Sequence, residues 1–172
     1  MLNAGETAPA VELDDIDGDR HSLAEALSAG PVLLAFFALD CLTCDLSYDF
    51  WDRIHVAHAG AAFQLWGVAL DDAEAVRVFE QQSGVEFPLL LDSERAVVGA
   101  YGPASTPALF LIEHGVVTAS HEGFDRPALN AIARTVADHT GLPPVEIGPG
   151  EAPELRPGCT IHGDQSFDRN SS

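Results

Sequence analysis

The stretch VLLAFFALDCLTC, residues 32–44, decides the fold. Its opening, Val32 to Ala38, is an unbroken apolar run bounded by Pro31 and Asp40. Such a run reads as a strand covered on both faces, as in the middle of a parallel sheet. From Cys41 to about Ala59 the pattern turns helical. Leu46, Phe50 and Ile54 recur every four residues as a core stripe, with Asp45, Asp49 and Asp52 on the wet side. Cys41 and Cys44 therefore fall where a buried strand hands over to the first turn of a helix.

The rest of the chain is organised around that junction. Upstream, residues 10–13 read as an edge strand and residues 14–19, DDIDGD, as a hairpin tip. Ser22 and Glu25 form a capping box for a short helix ending near Gly30. Downstream, residues 62–70 read as a second buried strand, and Asp71 or Asp72 caps a helix that runs to about Ser83 and stops at Gly84. Residues 87–91 make a third strand, with Pro88 tolerable near its start. Residues 93–101 make a short helix stopped by Gly102 and Pro103. Strands at 108–113 and 116–121 flank the two-residue connection His114-Gly115, and a last helix runs from about Pro127 to Thr140, ended by Gly141. Helices alternating with the early strands require an α/β domain with a central sheet covered on both faces. This domain spans residues 1–141. From 142 to 172 five prolines (143, 144, 149, 153 and 157) punctuate a segment poor in apolar residues, expected to be an extended or partly disordered tail.

Bulk composition narrows the partners. The 172 residues carry 27 acidic against 8 basic side chains, a net charge of −19, and every basic residue other than histidine is an arginine. Such a surface repels nucleic acid and an anionic bilayer, so neither is expected as a partner. At 47% hydrophobic the chain can fill a core without disulfide staples. Residues 1–10 show neither a basic start nor an apolar run, and no stretch has the length of a membrane span. The chain as written is therefore expected to be cytoplasmic, or extracytoplasmic if an upstream extension precedes it. No glycine-rich phosphate loop follows a strand, so no cofactor is expected. Nothing in the sequence fixes the oligomeric state.

Three cysteines, two of them in a C-x-x-C, do not describe a disulfide scaffold. Their position points to redox chemistry. A cysteine at a helix N-terminus faces unpaired N–H groups, which lower its pKa to roughly 3.5–7.5, and only the thiolate attacks a disulfide. Cys41 is thus the candidate nucleophile. Cys44, one turn inward, is the candidate resolving thiol that closes an internal Cys41–Cys44 disulfide. Thiol or disulfide proteins, or small thiols, would be the partners. An alternative uses the same sulfurs for metal: Cys41 and Cys44 with Cys159 and His162 offer four soft ligands, enough for tetrahedral zinc.

Residues 5–140 resemble the thioredoxin superfamily in its redoxin branch, which holds both AhpC/TSA-like proteins and TlpA/ResA-like thiol–disulfide oxidoreductases. The resemblance rests on GETAP at 5–9, FFA followed by CLTC at 36–44, FPLLLD at 87–92, and YG at 101–102 leading to TPALFLI at 106–112. It implies a thioredoxin-like fold: a central mixed sheet flanked by helices, with an N-terminal hairpin and a C-terminal Pro/Gly-rich tail. It also implies a cis bond at Thr106–Pro107 beside the cysteines, with Thr106 and Pro107 receiving an extended substrate. Two positions depart from the branch. Asp40 stands where an aromatic usually precedes the first cysteine, and Thr43 where a proline often precedes the second. The Asp40 carboxylate opposes a thiolate at Cys41, which favours a reducing or sluggish couple. The buried acid that thioredoxin carries in its central strand is replaced by Ala35.

Other readings share these residues. Peroxiredoxins have a similar outline and antioxidant activity, but they place a threonine three residues before the reactive cysteine, where this chain has Ala38. A thioredoxin-fold binding module with spent chemistry is a further alternative. The tail segment PGCTI, 157–161, resembles an ending of some peroxiredoxin-like redoxins; Cys159 is either a third redox thiol, if the tail folds back, or incidental. The seven histidines show no ligand spacing and are mostly surface residues, Trp51 and Trp66 are core aromatics, and Arg53 is expected to pair with Asp49 on the helix surface.

Overall fold

A computed structural model describes residues 1–161. The chain runs through β1 (Glu12–Asp14), β2 (Arg20–Ser22), α1 (Leu23–Leu27), β3 (Val32–Phe37), α2 (Leu42–Ala57), β4 (Gln64–Ala69), α3 (Ala73–Ser83) and β5 (Leu89–Leu91). It continues through α4 (Ala96–Tyr101), β6 (Ser105–Thr106), β7 (Ala108–Glu113), β8 (Val116–Glu122), β9 (Phe124–Asp125), α5 (Arg126–Thr140), β10 (Leu155–Arg156) and β11 (Cys159–Thr160). Five strands form the central sheet in the order β5-β4-β3-β7-β8. β3 lies in its middle, parallel to β4 and antiparallel to β7, so all six of its side chains are buried. This is the mixed, helix-flanked sheet of a thioredoxin-like fold, with the β1–β2 hairpin at its N-terminal side.

The apolar run divides its side chains between two cores. Leu33, Ala35 and Phe37 face a cluster with Cys44, Tyr48, Trp51 and Ile54 of α2, and with Leu129, Ile132 and Val136 of α5. Leu34 and Phe36 face the other side, with Leu23 of α1 and Val98 and Tyr101 of α4. Local signals set the helix ends. Ser22, Asp72 and Asp125 accept N–H bonds at the starts of α1, α3 and α5, and Gly84 and Gly141 end α3 and α5 at positive φ. Asp92, buried, caps α4 by accepting from the N–H groups of Val97 and Val98. On α2, Phe50 and Ile54 of the anticipated stripe are buried and Leu46 is half-buried, and the buried face is wider, taking in Thr43, Cys44, Ser47, Tyr48 and Trp51.

Residues 142–161 lie across the domain. Asn130 of α5 holds the segment at both backbone groups of Ile147, donating to its carbonyl at 3.0 Å and accepting from its N–H at 2.9 Å. Ile147 is buried in the core beneath α2 and α5. Two short pairings follow, β10 with β9 and β11 with β6. The same segment corrects the expected Arg53–Asp49 pair: Arg53 bonds Glu151 instead, at 3.0 Å, because the returning chain brings that carboxylate over the exposed face of α2. His58 also departs from the surface reading. It is buried after α2 with its Nδ1 2.9 Å from the Thr140 hydroxyl, and burial lowers its pKa.

Candidate active site

Cys41 is the N-cap of α2. Its extended backbone (φ −111°, ψ 111°) turns the chain out of β3, and its sulfur accepts the backbone N–H of Cys44 at 3.4 Å. Leu39, in the loop before it, is pinned by an N–H bond to the Asp71 carboxylate. Cys41 itself is fully buried. The reason is its partner, because the structure differs here from the expected Cys41–Cys44 disulfide. Cys41 is bonded to Cys159, 118 residues away, with a Cα–Cα distance of 5.8 Å. Cys44 is a free, buried thiol. The pairing follows from the path of the tail, which lays Cys159 opposite Thr106 in an antiparallel register.

Thr106 touches all three cysteines. Its peptide bond to Pro107 is cis, its carbonyl oxygen lies 3.3 Å from Cys41 Sγ, its side chain helps to hold down the pKa of the Cys44 thiol, and its strand pairs with β11. Burial pushes the Cys44 thiol up to about 11, with the Asp45 and Asp40 carboxylates adding to the rise and the Ala38 and Thr106 contacts opposing it. The phenol of Tyr48, whose hydroxyl donates to the Ala38 carbonyl, is likewise raised by burial. Ala35 is buried in β3, so no carboxylate stands there to exchange a proton with Cys44.

The residues named from sequence thus converge: Cys41, Cys44, Thr43, Thr106, Pro107 and Cys159 share one locus, and Asp40 stands exposed at its rim. Asp40 lines a cavity of about 240 Å³ together with Arg95, Thr106, Cys159 and Ile161. Cys159 is the half-buried sulfur of the pair and the one that lines this opening. Thr43, named from sequence, donates its hydroxyl to the Pro157 carbonyl at 2.7 Å, a bond to the tail that its place between the cysteines does not reveal. Other contributors escaped the sequence reading. Glu122 clamps the approach to β6 by accepting from the Ala104 N–H and the Ser105 hydroxyl. Gly123 and Gly158 give the tail room to lie flat. Only Gly158, beside a cysteine, carried a local signal; the others depend on contacts distant in sequence. Of the four soft ligands considered for metal, Cys41 and Cys159 are bonded to each other, and His162 lies outside the described residues.

Comparison with known proteins gives a consistent picture. The AhpC/TSA family model matches residues 4–120. The thiol-disulfide oxidoreductase ResA of Geobacillus thermodenitrificans is 27% identical over 110 residues, 63% of this chain and 63% of that protein, so the match spans less than two thirds of the relative's length. The "Putative peroxiredoxin MT2597" of Mycobacterium tuberculosis is 31% identical over 102 residues, 59% of this chain and 64% of that protein. Among solved structures, a "putative Thiol:disulfide interchange protein DsbE" from Chlorobium tepidum superposes with a TM-score of 0.73 at 26% identity, covering 82% of this chain and all of the other.

Proposed function

The chain belongs to the AhpC/TSA family, and from that premise we propose that it is a thiol–disulfide oxidoreductase whose reacting sulfur is Cys41. The observation that carries this reading is the seat of Cys41. It begins a sixteen-residue helix and is bonded to a cysteine whose strand pairs with the residue before a cis-proline. The likeness to thiol–disulfide oxidoreductases supports it.

The cycle follows from the positions of the three sulfurs. A thiolate from a reducing partner attacks Cys159, the sulfur at the cavity. The Cys41–Cys159 bond breaks, and Cys41 leaves as a thiolate stabilised by the Cys44 N–H and the positive end of the α2 dipole. A second thiol then frees Cys159. The reduced Cys41 attacks a substrate disulfide, forming a mixed disulfide and expelling the substrate's other sulfur as a thiolate. Cys159 or Cys44 resolves that intermediate and releases the reduced substrate. Cys44, with its pKa near 11, is only about one part in ten thousand thiolate at pH 7. Cys44 is therefore a poor resolving thiol, and resolution falls to Cys159, which already bonds Cys41 in the oxidised protein. Turnover of a protein disulfide under a small-thiol reductant tests the assignment. Cys41→Ser abolishes turnover, while Cys44→Ser keeps most of it; activity surviving in Cys41→Ser would overturn the reading.

A peroxide-reducing variant of the same chemistry is the second reading, favoured by the pairing of Cys41 with a distant cysteine and by the likeness to the mycobacterial protein. Here the Cys41 thiolate takes an oxygen from the peroxide, leaving a sulfenic acid and an alcohol or water. Cys159 then condenses with it and releases water. Ala38 supplies no hydroxyl to polarise the O–O bond. The readings separate on rate: reduced protein whose Cys41 reacts with hydrogen peroxide no faster than free cysteine excludes the second.

A further inference from the structure

The tail pairs with the strand that leads into the Thr106–Pro107 cis bond, directly beside Cys41. This makes residues 157–161 a bound ligand whose fit can be read. Resting on the assignment of Cys41 as a disulfide-exchanging sulfur, we infer that the slot beside it selects peptide sequence. Its disulfide substrates carry glycine immediately before the reacting cysteine and a branched apolar residue two positions after it.

The backbone contacts are ones that any extended peptide can make. Cys159 pairs with Thr106 and Thr160 with Ser105, the Ile161 N–H donates to the Ala104 carbonyl at 2.9 Å, and the Pro157 carbonyl accepts the Thr43 hydroxyl. Selectivity comes from the walls. A Cβ at Gly158 would lie 2.6 Å from the Thr106 carbonyl oxygen and 2.8 Å from Ser105 Oγ. The Thr106 oxygen cannot swing aside, because its residue is buried and its peptide plane leads directly into β7. The opposite wall is Gly123, at φ +73°, whose N–H donates to the Pro107 carbonyl. A Cβ there would lie 2.7 Å from the Arg156 carbonyl and 3.0 Å from the Gly158 nitrogen. Backbone therefore closes on both sides of one residue of the occupant, and only glycine fits. Thr160 is exposed and goes unread. Ile161 packs partly buried against the apolar cluster on the α1 and α4 face. Main-chain pairing holds the occupant, and the positions on either side of the cysteine specify it.

In the oxidised protein the chain's own tail fills the slot, so a foreign segment enters only after the Cys41–Cys159 bond is reduced. The Cys41 thiolate then attacks the foreign disulfide, a Cys41–peptide sulfur bond forms, and the peptide's former partner leaves as a thiolate.

The test uses reduced full-length protein carrying Cys159→Ala, with Cys159→Ser as a second background. The probe is the capped peptide Pro-Gly-Cys-Thr-Ile with thionitrobenzoate on its cysteine, compared with versions holding alanine for the glycine or serine for the isoleucine. Release of the coloured thiolate gives the rate, and mass mapping locates the adduct. The symmetric nitrobenzoate disulfide, which lacks any peptide, serves as reference. The expected result is that the glycine peptide labels Cys41 at least about tenfold faster than the alanine peptide, with the serine peptide between them. Equal rates for all peptides, with Cys41 reacting normally with the reference disulfide, overturn the selectivity alone. Failure of Cys41 to react with the reference disulfide overturns the assignment of Cys41 and the selectivity with it.

Discussion

Removing the Cys44 sulfur changes how stability depends on pH, and the size of the change follows from burial. The folded protein holds this thiol at about 11 against 9.0 for the exposed group. Above pH 9 the unfolded chain has lost the proton while the folded one still keeps it. Unfolding then releases a proton, and stability falls as pH rises. The stabilisation is complete below pH 9 and lost as pH rises toward 11. Integrating between those values gives a loss of about 1.4 kcal/mol by pH 10 and about 2 kcal/mol by pH 11. Urea unfolding at pH 8, 9 and 10, with the Cys41–Cys159 bond verified by mass, measures it in the parent and in Cys44→Ala. At pH 8 the variant is weaker by about 1 kcal/mol, for the buried atom removed. By pH 10 the gap closes or reverses, since only the parent carries the Cys44 term. Tyr101, raised by burial, titrates in both proteins and largely cancels in the comparison, whereas Tyr48, raised by burial first and by the Cys44 charge second, adds in the same direction to the parent's fall. Parallel slopes from pH 8 to 10 would refute the argument, because they would mean that folding leaves this thiol as exposed as unfolding does.

Other perturbations address the tail and its anchors. Gly158→Ala forces a methyl group against the Thr106 carbonyl, so the Cys41–Cys159 couple becomes easier to reduce, by about 30 mV in a glutathione titration; an unchanged potential contradicts the tight fit. Thr43→Val removes the bond to the Pro157 carbonyl and shifts the same potential in the same direction by a smaller amount, about 20 mV. Asn130→Ala leaves both backbone groups of Ile147 without partners and costs about 2 kcal/mol, seen as a fall in Tm of several degrees. Arg53→Ala should leave Tm nearly unmoved, because its ion pair with Glu151 is half exposed and worth at most about 0.5 kcal/mol.

Residues 32–44 determined much of this protein unaided. An apolar strand feeding a helix is a local pattern, and the cysteine spacing within it is local too, so the α/β class, the N-cap position of Cys41 and the burial of Cys44 were all readable from neighbours in the chain. The capping residues Ser22 and Asp72 and the stops at Gly84 and Gly141 were readable for the same reason: each acts on backbone groups within one turn. The disulfide partner was not. Choosing between Cys44 and Cys159 depends on where the tail returns, and that is fixed by Asn130 gripping Ile147, by the β9–β10 pair and by the close approach at Gly123 and Gly158. Those contacts join residues separated by up to dozens of positions, and no spacing in the sequence records them. Composition marked the tail as poor in core-forming residues, yet buried Ile147 and Ala152 and a few backbone bonds suffice to seat it. The local code set which sulfur sits at the helix start; only packing in three dimensions decided which sulfur it meets.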